Sequence, residues 1–126
     1  MKVAVVSEDF RSVSGPAGKA RRFLLFEAEH GARPRLEQYY ELPEHSPSYH
    51  DLHDDDDTFH PIDGMVLITA EAGEGFPERL ARRSTQVHIT TERDPLTAVV
   101  LLLEGRLPEK APSPPKESRC ESRWRA

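Results

Sequence analysis

The stretch KVAVVS, residues 2–7, decides the fold. It is apolar without interruption from Val3 to Val6, and three of those four residues are β-branched valines. A strand with apolar side chains on both faces is typical of the middle of a sheet that is covered on both sides. The stretch GMVLITA (64–70) has the same character, so it predicts another buried strand.

The chain that follows the first strand is predicted to form a loop and then a hairpin. EDFRSVSGPAGKA (8–20) is polar and rich in Gly, Ser and Pro, which predicts a loop. RFLLFEAE (22–29) and RLEQYYEL (35–42) have strand-like patterns, and the turn HGARP (30–34) separates them. These two strands are therefore expected to pair as a hairpin.

Beyond residue 70, helix and strand signals alternate. GEGFPERLARR (73–83) predicts a Gly-rich turn and a short helix, and QVHIT (86–90) predicts a strand. DPLTAVVLLLEG (94–105) predicts a helix with Asp94 as its N-cap and Gly105 as its stop. Its expected core-facing stripe is Leu96, Val99, Val100 and Leu103. Alternating strands and helices favour parallel neighbours joined by right-handed crossovers, so we expect an α/β sheet with one antiparallel hairpin.

Composition divides the chain near residue 107. From Pro108 onward the sequence has four prolines and almost no aliphatic residue, so residues 108–126 are predicted to be a disordered Pro-rich, charged tail. Residues 1–107 then form one folding domain. This domain carries nineteen Asp and Glu against twelve Lys and Arg, and an acidic body repels polyphosphate. Nucleic acid is therefore not an expected partner.

Cysteine content and hydropathy predict a soluble cytoplasmic protein. Cys120 is the single cysteine and lies in the tail, so neither a disulfide nor a multi-cysteine cluster site can form within one chain. The first apolar run is too short for a signal peptide and is followed by Glu8 and Asp9. LTAVVLLL (96–103) is too short to span a membrane, so no membrane contact is expected.

The order of these elements resembles the dinitrogenase iron–molybdenum cofactor biosynthesis family, which includes the NifX- and NafY-type carriers. The stretches that carry the resemblance are MKVAVVS (1–7), GPAGKARRFLLFE (15–27), IDGMVLITAEAGEGFPERLARRSTQVHIT (62–90) and DPLTAVVLLLEGRL (94–107). The resemblance implies a ribonuclease-H-like fold with a five-stranded mixed sheet, strand order 3-2-1-4-5, strand 2 antiparallel, and flanking helices. It also implies binding of an iron–sulfur precursor or the iron–molybdenum cofactor, with nitrogenase cofactor-assembly proteins or apo-dinitrogenase as partners.

Small and basic residues are combined in SGPAGKARR (14–22). The backbone N–H groups of such a glycine loop can cradle an anion, and the clusters that the family carries are anionic. The expected cofactor-binding residues are Ser14, Gly15, Gly18, Lys19, Arg21 and Arg22, together with His45. The alternative is a flexible loop whose basic residues only balance nearby acidic ones.

The segment HDLHDDDDTFH (50–60) holds three histidines and five aspartates. If residues 47–60 formed a helix, four potential metal ligands would share one stripe: His50, His53, Asp57 and His60. Leu52 and Phe59 would form an adjacent apolar stripe that faces the sheet. Imidazole with carboxylate suits Zn²⁺, Fe²⁺, Co²⁺ or Ni²⁺, and histidine is also the expected protein ligand of a delivered cluster. Because Asp is a poor helix former, the alternative is a solvated acidic segment without metal.

The function expected from these features is that of a cofactor carrier rather than an enzyme. The first strand contains no acid for a two-metal nuclease site, and no Gly-x-Ser-x-Gly elbow is present. His88 lies in a strand and is expected to be a packed or edge histidine. Two alternatives belong to other classes: a cofactor-free protein-interaction or regulatory module of the same fold, and a simple divalent-metal-binding protein.

Overall fold

A computed structural model describes the chain from residue 1 to residue 113. Within this part, five strands and two α-helices follow one another in the predicted order, each shorter than the stretch that predicts it. The strands are β1 (Lys2–Val6), β2 (Arg22–Glu27), β3 (Arg35–Glu41), β4 (Val66–Thr69) and β5 (Gln86–Ile89). The helices are α1 (Phe76–Ala81) and α2 (Pro95–Leu103), and a short 3-10 helix covers Ala17–Lys19.

The five strands form one mixed sheet in the order β3-β2-β1-β4-β5. β2 is antiparallel to β1 and to β3, whereas β4 is parallel to β1 and to β5. The expected strand order and the antiparallel second strand are therefore confirmed. Neither helix of residues 1–113 has the length and apolar character that crossing a bilayer requires.

β1 lies at the centre of the sheet and is buried on both sides. Val3 and Val5 pack in one apolar cluster with α2, and we call this side of the sheet the α2 face. Ala4 and Val6 pack on the opposite side, the α1 face, in a cluster that includes side chains of α1. Burying a valine side chain stabilises a fold by roughly 1.5–3 kcal/mol. The uninterrupted apolar sequence of β1 follows from this double burial.

The ends of α2 are as predicted, but its buried face is not. The Asp94 carboxylate accepts a hydrogen bond from Thr97 N at 2.9 Å, which caps the helix. Of the expected stripe only Val99 is fully buried, and Ala98 beside it is buried as well. The other three stripe residues are half-buried: Leu96, Val100 and Leu103. Because Thr97 is the one polar residue of this helix, its apolar periodicity does not select a face.

In the connection from β3 to β4, residues 43–63 have no helix, so the helix considered for residues 47–60 does not form and the irregular alternative holds. Its turns are closed by side chains: Asp55 accepts hydrogen bonds from the backbone N–H groups of Asp57 and Thr58 at 2.9 and 3.0 Å. Short polar side chains that bond nearby backbone groups compete with helical hydrogen bonds. Leu52 is buried as expected, whereas Phe59 is 71% exposed. We call residues 43–63 the connecting segment.

The ordered chain extends past residue 107, where the disordered tail was expected to begin. Lys110 N donates to Ile89 O at 2.9 Å, and Glu109 forms an isolated bridge with Thr90 beside β5. Ser113 N donates to Ala72 O at 2.8 Å. Residues 108–113 of the expected tail thus lie beside the sheet, where its exposed edge supplies backbone partners. The remainder of the expected tail, residues 114–126, lies outside the described residues.

Candidate functional site

Two regions that the sequence singles out separately meet beside Gly18. His50 N donates a hydrogen bond to Gly18 O at 2.6 Å, which joins the connecting segment to the loop after β1. A Cβ placed on Gly18 would lie 3.8 Å from His50 Cβ and 3.9 Å from Phe76 Cε1. Ala17 N also donates to Glu71 O, just after β4, at 2.9 Å. The contact therefore lies at the carboxyl ends of β1 and β4, the edge where open α/β sheets bind ligands.

His50 and His53 occupy one turn at this edge and are both exposed. His53 N donates to His50 O at 3.2 Å, and the guanidinium of Arg79 contacts His53 Nδ1. Since arginine is only a donor, His53 Nδ1 accepts and its proton lies on Nε2. Arg79 is itself held by a 3.0 Å hydrogen bond to Tyr49 O. We call Gly18, Lys19, His50, His53 and Arg79 the Gly18 surface.

His60 does not belong to this surface. It is fully buried, and its ring stacks on Tyr49 with a centroid separation of 3.8 Å. Its Nδ1 accepts a hydrogen bond from Ile62 N at 3.1 Å, so the proton of the neutral ring lies on Nε2. Burial lowers the pKa of His60 to about 4, with the Asp63 carboxylate acting in the opposite direction. The expected stripe of His50, His53, Asp57 and His60 therefore does not form.

The acidic run of the connecting segment faces arginines of α1 and of the turn after it. Asp56 accepts a hydrogen bond from Arg82 Nε at 3.2 Å at the surface. Asp57, expected to ligate metal, is exposed, and its backbone N–H bonds Asp55. Among residues 1–113, no group of three or more His, Cys, Asp or Glu side chains could hold a metal ion. The four side chains predicted to ligate a metal are therefore not gathered at one point of the described structure.

A buried polar network holds the connecting segment in place, and sequence reasoning missed it. Arg83 Nη1 donates to Asp63 Oδ2 at 3.0 Å and to Thr58 O at 2.7 Å. Tyr49 Oη donates to the other oxygen of Asp63 at 2.9 Å, and burial raises the pKa of Tyr49. The two side chains of the ion pair are 5% and 13% exposed. The signal in the sequence was the pair Arg82–Arg83 following α1, opposite an acidic run.

Most of the expected anion-binding residues have structural partners. The Arg21 guanidinium donates to Pro43 O at 2.6 Å and Ser46 O at 3.0 Å, so it ties down the start of the connecting segment. The Arg22 guanidinium donates to Glu8 O at 3.1 Å. These two cations therefore fasten neighbouring chain segments.

The small residues of the same loop serve close packing. Ser14 Oγ accepts from Glu8 N at 2.8 Å, and Ser14 O accepts from Ala70 N at 2.9 Å. A Cβ on Gly15 would lie 2.7 Å from Glu71 N, so only glycine fits there. Lys19 and His45 are exposed. Of the seven expected cofactor-binding residues, Gly18 therefore contacts His50, and Lys19 is the exposed residue next to Gly18 in the chain.

These observations define the class of fold. It is a mixed α/β sheet of five strands, with an imidazole-bearing surface at the carboxyl ends of β1 and β4. No protein-family model matches the sequence, and comparison with curated proteins gives no match either. Among solved structures, the chain is similar to one described as "Crystal structure of PH0822", with a TM-score of 0.58 and 19% sequence identity. The similarity covers 87% of this chain and 96% of that one. At this identity the likeness shows a shared fold and does not extend to function.

Proposed function

We propose that this protein is a non-enzymatic carrier with a ribonuclease-H-like fold. Its cargo would be an iron–sulfur or iron–molybdenum cofactor precursor, delivered to a nitrogenase cofactor-assembly protein or to apo-dinitrogenase. The observation that carries the proposal is the 2.6 Å hydrogen bond from His50 N to Gly18 O. This hydrogen bond holds the glycine loop, which is one of the stretches that carry the family resemblance, against the histidine-rich connecting segment. The strand order is also the one that the resemblance implies.

The Gly18 surface would hold an anionic cluster with few contacts. His50 is the ligand, because its exposed ring lies beside the loop. His53 presents an Nε2–H group, since Arg79 occupies its Nδ1, and such a group donates a hydrogen bond to a sulfide or an oxygen. Lys19 and Arg79 offset the negative charge of the cargo. This division of labour replaces the larger ligand set expected from the sequence.

A surface with one ligand suits a carrier. Tight ligation by several cysteines would prevent release, and the part of the chain described by the structure contains no cysteine. A single imidazole competes poorly with a recipient that offers more ligands, so transfer runs toward the recipient. A ligating imidazole must be unprotonated, so loading weakens as the pH falls.

Anaerobic mixing with isolated iron–molybdenum cofactor tests the proposal. We expect a brown complex that survives gel filtration, with bound metal measured for each chain. His50→Ala should weaken it at least about tenfold, the size of effect that loss of metal-site residues produces. His30→Ala is the matched control, because His30 is also exposed but lies in the turn between β2 and β3. A colourless wild-type protein, or equal loading of His50→Ala, would contradict the proposal.

A second candidate function is a cofactor-free protein-interaction module. Two large side chains of edge strand β3 are exposed: Leu36 at 42% and Tyr39 at 62%. Exposed apolar groups on a sheet edge are typical of surfaces that bind other proteins. Co-purification of an assembly protein that Tyr39→Ser abolishes and His50→Ala leaves intact would support this function over the carrier.

A further inference from the structure

The amino ends of β4 and β5 border a cavity far from the Gly18 surface. Its volume is about 320 Å³, within the range of roughly 300–1,000 Å³ in which proteins hold small ligands. It opens on the α2 face, beside the last turn of α2. Four apolar side chains form its walls: Val66, Leu102, Leu103 and Leu107. A cavity of this kind favours a small and mainly apolar molecule.

Polar side chains also line the cavity, and they are His30, Gln86, His88 and Glu109. His88 lies on β5 with its side chain 13% exposed, and its Nδ1 is 2.8 Å from Glu109 Oε1. Glu109 is fixed beside β5, because the neighbouring Lys110 N donates to Ile89 O at 2.9 Å. A carboxylate can only accept, so neutral His88 carries its proton on Nδ1. The Glu109 carboxylate thus selects the tautomer of His88.

The other ring nitrogen of His88 is available to a ligand. Within residues 1–113, His88 Nε2 makes no hydrogen bond, and the His88 side chain is 13% exposed. His88 lines this cavity, and its Nε2 carries a lone pair in the tautomer that Glu109 selects. The cavity therefore combines apolar walls with several polar groups, among them an imidazole acceptor that Glu109 orients.

We propose that this cavity, which we call the His88 pocket, binds a small apolar molecule that carries one hydroxyl group. The hydroxyl donates to His88 Nε2, and the hydrocarbon part packs on Val66, Leu103 and Leu107. The pairing of imidazole with a carboxylate strengthens the acceptor, as it does for histidines that bind other ligands. The pocket lies at the edge of the sheet opposite to the proposed carrier surface, so neither proposal depends on the other.

Two probes that differ by one hydroxyl group test this hydrogen bond. The full chain, labelled with ¹⁵N, is titrated with p-cresol and with toluene while the amide signals of Gln86, His88 and Gly105 are followed. We expect saturable shifts with both probes and about 3- to 10-fold tighter binding of p-cresol, the ratio that one hydrogen bond provides. Equal affinities for the two probes, or no saturable shifts, would overturn the proposal.

Three variants distinguish the contribution of the hydrogen bond to binding from the contribution of the apolar cavity. His88→Phe should bring p-cresol down to the affinity of toluene while toluene still binds. Leu103→Trp, at a half-buried position that tolerates a larger ring, should fill the pocket and abolish binding of both probes. Lys19→Ala, on the Gly18 surface, is the control and should change neither affinity. If p-cresol binds Leu103→Trp as it binds the wild type, the ligand lies elsewhere and the assignment is wrong.

Discussion

The two faces of the sheet are covered by different means. On the α2 face, a nine-residue helix with one polar side chain packs on valines and leucines. On the α1 face, the connecting segment has no helix or strand, and Tyr49, Asp63 and Arg83 fix its position. Apolar contact depends on buried area, whereas a buried ion pair needs both partners in their charged state. The stability of the protein should therefore depend on buried volume at the α2 face and on buried charge at the α1 face.

The largest expected effect comes from breaking the buried ion pair. Arg83→Ala should lower the free energy of unfolding by about 3–5 kcal/mol, because it leaves the carboxylate of Asp63 buried without a cation. Urea unfolding followed by circular dichroism measures the change. Arg82→Ala is the matched control, since its ion pair with Asp56 is exposed, and it should cost less than about 1 kcal/mol. Equal losses in the two variants would contradict the claim that the buried ion pair contributes more to stability than the exposed one.

Mild acid should weaken the α1 face before the carboxylates titrate. The pKa of His60 is lowered by burial to about 4 in the folded protein, from 6.5 when exposed. The unfolded chain therefore binds a proton that the folded chain does not, so stability present above pH 6.5 is lost as the pH falls toward 4. At about 1.4 kcal/mol for each unit by which the pKa is shifted, the loss of unfolding free energy is on the order of 3 kcal/mol.

The control for this pH dependence is His60→Gln, which keeps a polar group but cannot titrate. The decrease in unfolding free energy that His60 causes between pH 6.5 and pH 4 should be absent from this variant, whatever its absolute stability. If the wild type and His60→Gln lose stability in parallel across that interval, His60 does not cause the loss. Val99→Ala, on the α2 face, should keep the wild-type pH profile at lower stability.

Lost volume should act on the α2 face with a smaller effect. Val99→Ala deletes two buried carbons and should lower the free energy of unfolding by about 2 kcal/mol. Val100→Ala is the matched control, because the neighbouring Val100 is only half-buried and should cost less than half as much. Urea unfolding again provides the measurement. A reversed ranking would mean that α2 turns Val100 rather than Val99 toward the core.

The smallest expected effect concerns the start of α2. Asp94→Ala removes the acceptor of Thr97 N and should cost about 1 kcal/mol. Asp94→Ser retains a capping oxygen and should recover most of that loss. Thermal unfolding distinguishes the two variants, and a loss shared equally by Ser and Ala would rule out capping as the cause.

The parts predicted correctly are those with a local cause. β1 and β4 are uninterrupted apolar runs, and the cap at Asp94 needs only the three residues that follow it. The helix considered for residues 47–60 does not form, and the spacing of its histidines gives no information about the side chains that close the turns there. Asp55 bonds backbone groups within that segment, and Arg83 reaches it from beyond α1.

The candidate site was predicted in pieces. Gly18, Lys19, His50 and His53 were all named from the sequence, and the structure brings them to one surface. His60, from the same histidine-rich run, is instead a core residue stacked on Tyr49. Local composition identifies residues that can bind a metal, but it does not tell an exposed ring from a buried one, because burial depends on what packs against the ring.

The sequence by itself determined the order of strands and helices, the central position of β1 and the cap of α2, because each follows from a few consecutive side chains. Only the tertiary structure decided which histidines face solvent, which arginine neutralises the buried Asp63 and which nitrogen of His88 remains open. Those outcomes depend on groups distant in the chain, such as Arg83 and Asp63 or His88 and Glu109. A buried charge or donor is stable only where folding supplies its partner.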